Sequence, residues 1–336
     1  MPTTPARARK WIESDKAIKR WSDAGLFFVQ LVNEPSGHQT QKVVIGIDPG
    51  KLYSGLAVQS SKDTLFMAHL VLPFKDVKKK MEQRAMMRRT RRGRRINRDV
   101  AFKLRNHRQK RFENRRAKKV PPSIRANRQL ELRVVTELIK IFPVSSIVFE
   151  YVTAKGDKGF SPVMVGQNWA IAQLSKLAPV NTLFGWQTSQ IRRELGLIKS
   201  KDKSIQSPES HAVDGIALAS SEYISYSVVG SDSMQWTGAV EITPSVFKVI
   251  KRPPISRRQL HLFQFRKGAI RRKYGGTVTR HGYRKGDLVL TPKGLGYVSG
   301  DTGKQISVSD SNWKRLGQIS ASKVQLIRRN NGLLVA

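Results

Sequence analysis

Val43-Val44-Ile45-Gly46-Ile47-Asp48-Pro49-Gly50 is the stretch that decides the fold of this chain. It is a short run rich in β-branched residues and closed by a Pro-Gly turn signal, which predicts a fully buried strand rather than a helix. The turn sends the chain back through Tyr53-Ser54-Gly55-Leu56-Ala57-Val58 as the second strand of a hairpin. Asp48 therefore ends a rigid element, where a metal-binding carboxylate is held well. On this stretch alone, an ordinary strand that happens to close on Asp explains the pattern equally well.

Two further carboxylates change that balance. Thr64 to Leu72 reads as a third strand and makes an antiparallel meander over 43–72, in which His69 is a strand residue without chemistry. Val144-Ser145-Ser146-Ile147-Val148-Phe149-Glu150 is a second short apolar run, and it too ends in an acid. Ser207-Pro208-Glu209-Ser210-His211-Ala212-Val213-Asp214 opens a helix, with Ser207 and Pro208 at the N-cap and first turn. His211 and Asp214 then stand one turn apart on the same face. Asp48, Glu150 and Asp214 are the hard oxygen ligands a two-metal phosphodiesterase needs to hold two Mg²⁺ ions, or Mn²⁺ instead, about 3.5–4 Å apart. His211 beside them suits a proton acceptor for the attacking water. No Gly-rich phosphate loop, Ser/His/Asp order or zinc motif competes.

Charge dominates the composition. In 336 residues, 62 Lys and Arg stand against 24 Asp and Glu, a formal net charge of +38. Such a chain calls for a polyanion, and nucleic acid is the first candidate because phosphate neutralisation and counterion release drive the association. A membrane partner is not expected, since no run of about 18 apolar residues and no signal-peptide pattern occurs. The expected location is intracellular, in the cytoplasm. Cysteine is absent, which excludes disulfides, thiolate zinc sites and a cysteine nucleophile.

Between the first two acidic strands, residues 75–133 carry about two dozen Lys and Arg and few acids. Good helix formers predict an extended basic helix interrupted only at Gly93, followed by a second helix from Ile124 to Phe142 capped by Ser123. Arg88, Arg89, Arg91, Arg92, Arg94, Arg95 and Arg98 lack interspersed acids, so they are assigned to nucleic-acid backbone. Residues 1–42 read as a small basic α/β module with a strand near Gly25 to Val32. A helix is expected over Val165 to Leu177 and a strand around Thr182 to Trp186. Residues 231–336 show short strands at Gly286–Thr291, Gly296–Gly300, Gln305–Val308 and Val324–Ile327, the pattern of a small barrel. The lead-in to it, with Arg271, Arg272 and Lys273 among aromatic residues, suggests a second nucleic-acid surface.

The order strand-GIDPG, RRTRRGRR at 88–95, strand-IVFE and SHAVDGIALA at 210–219 resembles the three split segments of a RuvC-type nuclease with its bridge helix. The chain as a whole is similar to the transposon-encoded IscB/IsrB family, relatives of the type II CRISPR effector nucleases. Met1 to Arg7 looks like the end of that family's N-terminal PLMP motif, cut at its start, and Trp186-Gln187-Thr188 and Leu195-Gly196-Leu197 also fit. About sixty residues separate Glu150 from His211, with no other His and no Cys between them. An HNH nuclease domain cannot be built there, so the resemblance points to IsrB, the form without one.

The resemblance implies an α/β, RNase H-like (RuvC) mixed-sheet nuclease core split in sequence, with an Arg-rich bridge helix, a PLMP-like module and a small C-terminal β-barrel-like domain. Its segments are 1–42 (PLMP-like), 43–74 (RuvC I), 75–133 (bridge helix and basic linker), 134–160 (RuvC II), 161–230 (connection and RuvC III) and 231–336 (guide RNA and target interaction). It implies an RNA-guided nickase that binds a large structured guide RNA, the omega RNA of that family, and cuts the displaced strand of target DNA, with no protein partner required. A guide-independent RuvC-like resolvase or transposase and a non-catalytic RNA- or DNA-binding scaffold are the other readings of the same residues.

Overall fold

The run at 43–48 lies at the heart of a seven-stranded mixed sheet. The computed structural model describes residues 3–34, 37, 39–75, 77–93, 97, 99–104, 120–153, 161–202, 204–229, 233–254, 263–265, 271–273 and 278–336. In chain order, the first half contributes α1 (Pro5–Glu13), β1 (Ala17–Trp21), β2 (Phe27–Leu31), β3 (Val43–Asp48), β4 (Tyr53–Ser60), β5 (Thr64–Val71), α2 (Val77–Gly93), α3 (Pro122–Ile139) and β6 (Val144–Tyr151). The next stretch contributes α4 (Pro162–Leu174), β7 (Val180–Phe184), α5 (Gly185–Glu194), α6 (Val213–Ser220), β8 (Ile224–Val229), β9 (Ser233–Gly238) and β10 (Phe247–Lys251). Last come β11 (Phe263–Phe265), β12 (Arg271–Lys273), β13 (Leu288–Thr291), β14 (Gly294–Thr302), β15 (Gln305–Ser309), β16 (Arg315–Ser320), β17 (Gln325–Arg328) and β18 (Leu334–Val335).

The central sheet runs β18-β10-β5-β4-β3-β6-β7. β3, β4 and β5 form the antiparallel meander expected from their spacing, while β6 and β7 add in parallel beside β3. β10 pairs parallel with β5, and β18 closes that edge, so two strands from the last hundred residues belong to this sheet. Period-2 alternation explains why its strands are apolar throughout. Val43, Ile45 and Ile47 pack with Leu130, Val134 and Leu138 of α3 and Ala170 and Leu174 of α4, while Val44 and Val148 face Leu218 and Ala219 of α6 on the other side. Asp48 has the parity of Val44 and therefore faces α6.

Several boundaries differ from expectation. α3 starts at Pro122, with Pro121 at the cap position and no side-chain cap bond, so Ser123 lies inside the first turn and does not cap it. A proline at N1 is preset for the helix and has no N–H to satisfy. α3 also stops at Ile139, short of Phe142, and α4 lies three residues earlier than the expected Val165–Leu177. Gly185 and Trp186 open α5 instead of continuing β7. The basic helix α2 is described from Val77 to Gly93, and residues 94–96, 98 and 105–119 of the basic segment lie outside the described residues.

Near the C-terminus a five-stranded sheet, β16-β15-β14-β13-β17, closes over Val289, Val298, Ile306, Val308, Ile319 and Val324. Four of its strands were expected and β16 was not, because Arg315-Leu316-Gly317-Gln318 carries little apolar signal. β16 and β17 occupy opposite edges, yet only a 3₁₀ turn at Ala321–Lys323 and Val324 join them. The sheet must curl for so short a link to span its edges. Among the described residues, no helix is long and apolar enough to cross a membrane.

Candidate active site

Two acidic strand ends meet first. Ile47 pairs with Phe149 across the parallel β3–β6 ladder, so the next residues stand side by side: Asp48 ends β3, while Glu150 is one residue short of the end of β6 at Tyr151, not its last residue as expected. α6 supplies the third group by packing hard against the sheet. A Cβ on Gly46 would sit 1.9 Å from the carbonyl oxygen of Gly215, and one on Gly55 would sit 1.8 Å from that of His211. Only glycine admits such backbone contact. That approach brings His211 Nδ1 to 2.8 Å from Asp48 Oδ2.

The entry to α6 departs from the expected single helix. Pro208–Ala212 is a π-helical turn, and α-helical geometry starts at Val213. His211 and Asp214 therefore flank a π–α junction rather than sharing one α-turn, and their side chains go to different partners. π-Turns commonly mark functional sites because the extra residue re-aims side chains. Ser207 occupies the N-cap position without a side-chain cap bond, but its carbonyl accepts the Ser210 hydroxyl at 2.8 Å.

Asp214 is buried and paired twice, with Arg192 Nη1 2.6 Å from Oδ1 and the Lys199 ammonium on Oδ2. Among the described residues, Glu150 has no ion-pair partner of its own. Burial, together with the charges of Asp48 and Asp214, pushes its carboxyl up to about 7, against the pull of the Thr188 hydroxyl and Lys199.

Behind His211 lies His69, fully buried, with its Nδ1 2.9 Å from Ser210 Oγ. The Ser210 hydrogen is committed to Ser207, so His69 Nδ1 donates, and its buried Nε2 has no hydrogen-bond partner among the described residues. Burial, with His211 and Lys251 nearby, pushes His69 down to about 4, so the ring is neutral. It stands edge-on to His211 at 5.7 Å and tilted against Tyr53 at 4.9 Å. His69 is thus a neighbour of the candidate site and more than a filler of strand β5.

On the opposite face, the turn after Asp48 is clamped. Buried Arg128 donates to Glu131 Oε1 at 2.7 Å and to the Gly50 carbonyl at 2.7 Å. Ser54 donates to the same Glu131 oxygen at 2.5 Å and accepts from Gly50 N–H at 3.2 Å. Burial pushes Glu131 up despite Arg128 and Ser54.

Asp48, Glu150, His211 and Asp214 thus converge on one end of the sheet. Arg88 and Arg89 are exposed on α2. Of Arg91, Arg92, Arg271, Arg272 and Lys273 only the backbone is described, in α2 and β12. Arg94, Arg95 and Arg98 lie outside the described residues. Arg192, Lys199, Thr188, Ser54, Arg128 and Glu131 carry no spacing signal that would have singled them out.

The site can be tested for a divalent cation on this geometry. As the side chains stand, no three acidic or histidine groups among the described residues surround one point. Asp214 gives both oxygens to cations and Asp48 gives one to His211. The donor chemistry nevertheless fits a hard cation. The Asp48 and Glu150 carboxylates stand side by side, the charge of Asp214 is felt at Glu150, and the chain has no thiolate to compete.

Among solved structures, the chain is similar to T. thermophilus RuvC in complex with Holliday junction substrate, at 16% identity over 53% of this chain and 90% of that one, with a TM-score of 0.30. It is similar to a second Thermus thermophilus RuvC structure at 15% identity over the same shares, with a TM-score of 0.28. No curated protein matches the chain. Residues 1–164, just under half of the chain and including Arg88-Arg89-Thr90-Arg91-Arg92, match the model of the RRXRR protein family.

Proposed function

We propose that this chain is a divalent-metal-dependent DNA endonuclease of the RuvC type, guided by a large structured RNA and acting as a nickase on the DNA strand not paired to that guide. The observation that carries the nuclease reading is Asp48 and Glu150 abreast on β3 and β6, with His211 bonded to Asp48 and the charge of Asp214 on α6 felt at Glu150. Support for an RNase H-like core comes from the sheet itself, an antiparallel three-strand meander extended by parallel strands with helices on both faces. The guide RNA reading rests on the motif order, the net charge of +38 and the match of residues 1–164 to the RRXRR family.

Asp48, Glu150 and Asp214 would hold the metal. A divalent cation there supplies an activated water and charge for the leaving oxygen. The chain's own groups do the rest. If His211 donates from Nδ1 to the Asp48 carboxylate, its Nε2 is left as a proton acceptor. The glycine contacts at 46 and 55 hold α6 on the sheet and keep His211 in register with Asp48. The Arg128–Glu131–Ser54 cluster holds the turn after Asp48, which limits where that carboxylate can move.

The experiment is to purify the chain with its bound RNA, sequence that RNA, and assay a DNA matching its guide region for Mg²⁺-dependent nicking. Loss of nicking in Asp48→Ala with RNA binding retained is the expected result. Cleavage without RNA would point to a guide-independent nuclease, and undiminished cleavage by Asp48→Ala would sink the metal assignment.

A further inference from the structure

We infer that Arg192 and Lys199 are exchangeable counterions of Asp214, which hold its two oxygens in the metal-free protein, release them to a divalent cation, and then pair with the phosphate of the strand to be cut. This rests on the nuclease reading and adds two substrate-contacting residues to the site.

Three features of the site support it. The Asp214 side chain is 3% exposed, whereas those of Arg192 and Lys199 are 20% and 24% exposed, so both cations reach inward from the solvent side. Arg192 is also tethered independently of Asp214, through a 3.3 Å bond from Nη2 to Ser189 Oγ, one helical turn away on α5. Losing Asp214 would leave it in place with a free donor. Lys199 lies just beyond the end of α5, on the segment that leads to the π-turn, and can swing without disturbing either element.

Charge gives the exchange a direction. With all three carboxylates ionised, Arg192 and Lys199 leave the metal-free site with one negative charge. Each Asp214 oxygen keeps a second lone pair, but a cation on each of them repels an incoming metal ion, so metal binding competes with the two ion pairs. Two divalent cations would then turn the site net positive, with two unpaired donors beside it. That is the sign and the hydrogen-bonding chemistry that a phosphodiester, and the charge that develops on it during cleavage, require. Arg suits the non-bridging oxygens through its planar fork, and Lys acts as a mobile point charge.

The test uses the full chain with Lys199→Gln and, as the charge-keeping control, Lys199→Arg. Free Mn²⁺ is followed by electron paramagnetic resonance during titration. Lys199→Gln is expected to bind Mn²⁺ roughly tenfold more tightly, because a competing partly buried ion pair is gone, and Lys199→Arg to bind like wild type. In the RNA-bound complex at saturating Mn²⁺, the single-turnover cleavage rate of Lys199→Gln is expected to fall about 10²-fold, the usual effect of removing one phosphate or oxyanion donor. Tighter metal with slower cleavage is the signature, and a merely structural lysine would not produce it. Mn²⁺ affinity that is unchanged or weaker in Lys199→Gln, or cleavage as fast as wild type, overturns the proposal. Asp214→Asn separates the two levels: if it binds Mn²⁺ as wild type does, the metal site itself is wrong, whereas if it loses Mn²⁺ while Lys199→Gln changes nothing, only the counterion exchange fails.

Discussion

Gly55→Ala is the sharpest test of how this site is assembled, because a single methyl group separates the packing of α6 from the chemistry it carries. The added Cβ would stand 1.8 Å from the His211 carbonyl oxygen and 2.8 Å from Ala212 N, and real Cβ atoms essentially never come within 3.0 Å of such atoms. Relief therefore requires the backbone at His211 to move away by at least about 1.2 Å. The 2.8 Å bond from His211 Nδ1 to Asp48 Oδ2 cannot survive such a shift in place. Overpacking of this kind costs about 1–3 kcal/mol. Misplacing a reacting group by about 1 Å costs roughly 10²-fold in rate. Gly55→Ala should thus remain folded at 25 °C, melt several degrees early and lose nearly all cleavage, while binding of the guide RNA is unchanged. Urea melts followed by circular dichroism read the first effect, and single-turnover nicking with matched RNA reads the second. If Gly55→Ala cleaves within a few-fold of wild type, the close helix–sheet contact does not place His211, and the account of the site is wrong.

Three other outcomes follow from the buried charges. Glu150 is raised from 4.5 to about 7, so between these values the folded state holds a proton the unfolded state gives up, and stability falls as pH rises through that window. In EDTA, Glu150→Gln should therefore exceed wild type in stability at pH 8 by up to about 3 kcal/mol and match it near pH 4; an equal difference at both pH values would show that charge is not the cause. Arg128→Met leaves Glu131 buried without its cation and should cost about 3–5 kcal/mol, with much of the loss recovered in the Arg128→Met/Glu131→Leu double variant. A double variant no more stable than the single one would count against a buried-charge penalty. His69, lowered from 6.5 to about 4, binds a proton more readily unfolded than folded, so stability is lost as pH falls across that window. His69→Phe should gain on wild type in melts as the pH is lowered from 6.5 to 4, and a constant offset would refute this.

The candidate carboxylates were legible because each ends an element that announces itself. β-Branched runs of four to six residues closed by Asp48 and Glu150 mark buried strands, and Ser207-Pro208 marks a helix start, so placing an acid at each terminus needed only local rules. The meander over β3, β4 and β5 was legible for the same reason. Helix α5 was not. Gly185 and Trp186 argue against helix by propensity, and α5 forms because Ile191 packs with Ala217 and Ile224, contacts distant in sequence.

What the sequence by itself determined is the inventory: which strands are buried, which acids end them, how strongly basic the chain is, and that no thiol takes part. Tertiary structure alone decided that Asp48 and Glu150 lie abreast, because strand register is set by pairing and not by either strand's own pattern. It also decided that His211 and Asp214 part company across a π–α junction, with one meeting Asp48 and the other Arg192 and Lys199. Residues 22 and 15 positions before Asp214 reach it only because α5 and the segment after it fold back beside α6. Local sequence encodes backbone geometry and burial, whereas the partner of a buried charge is fixed by long-range packing.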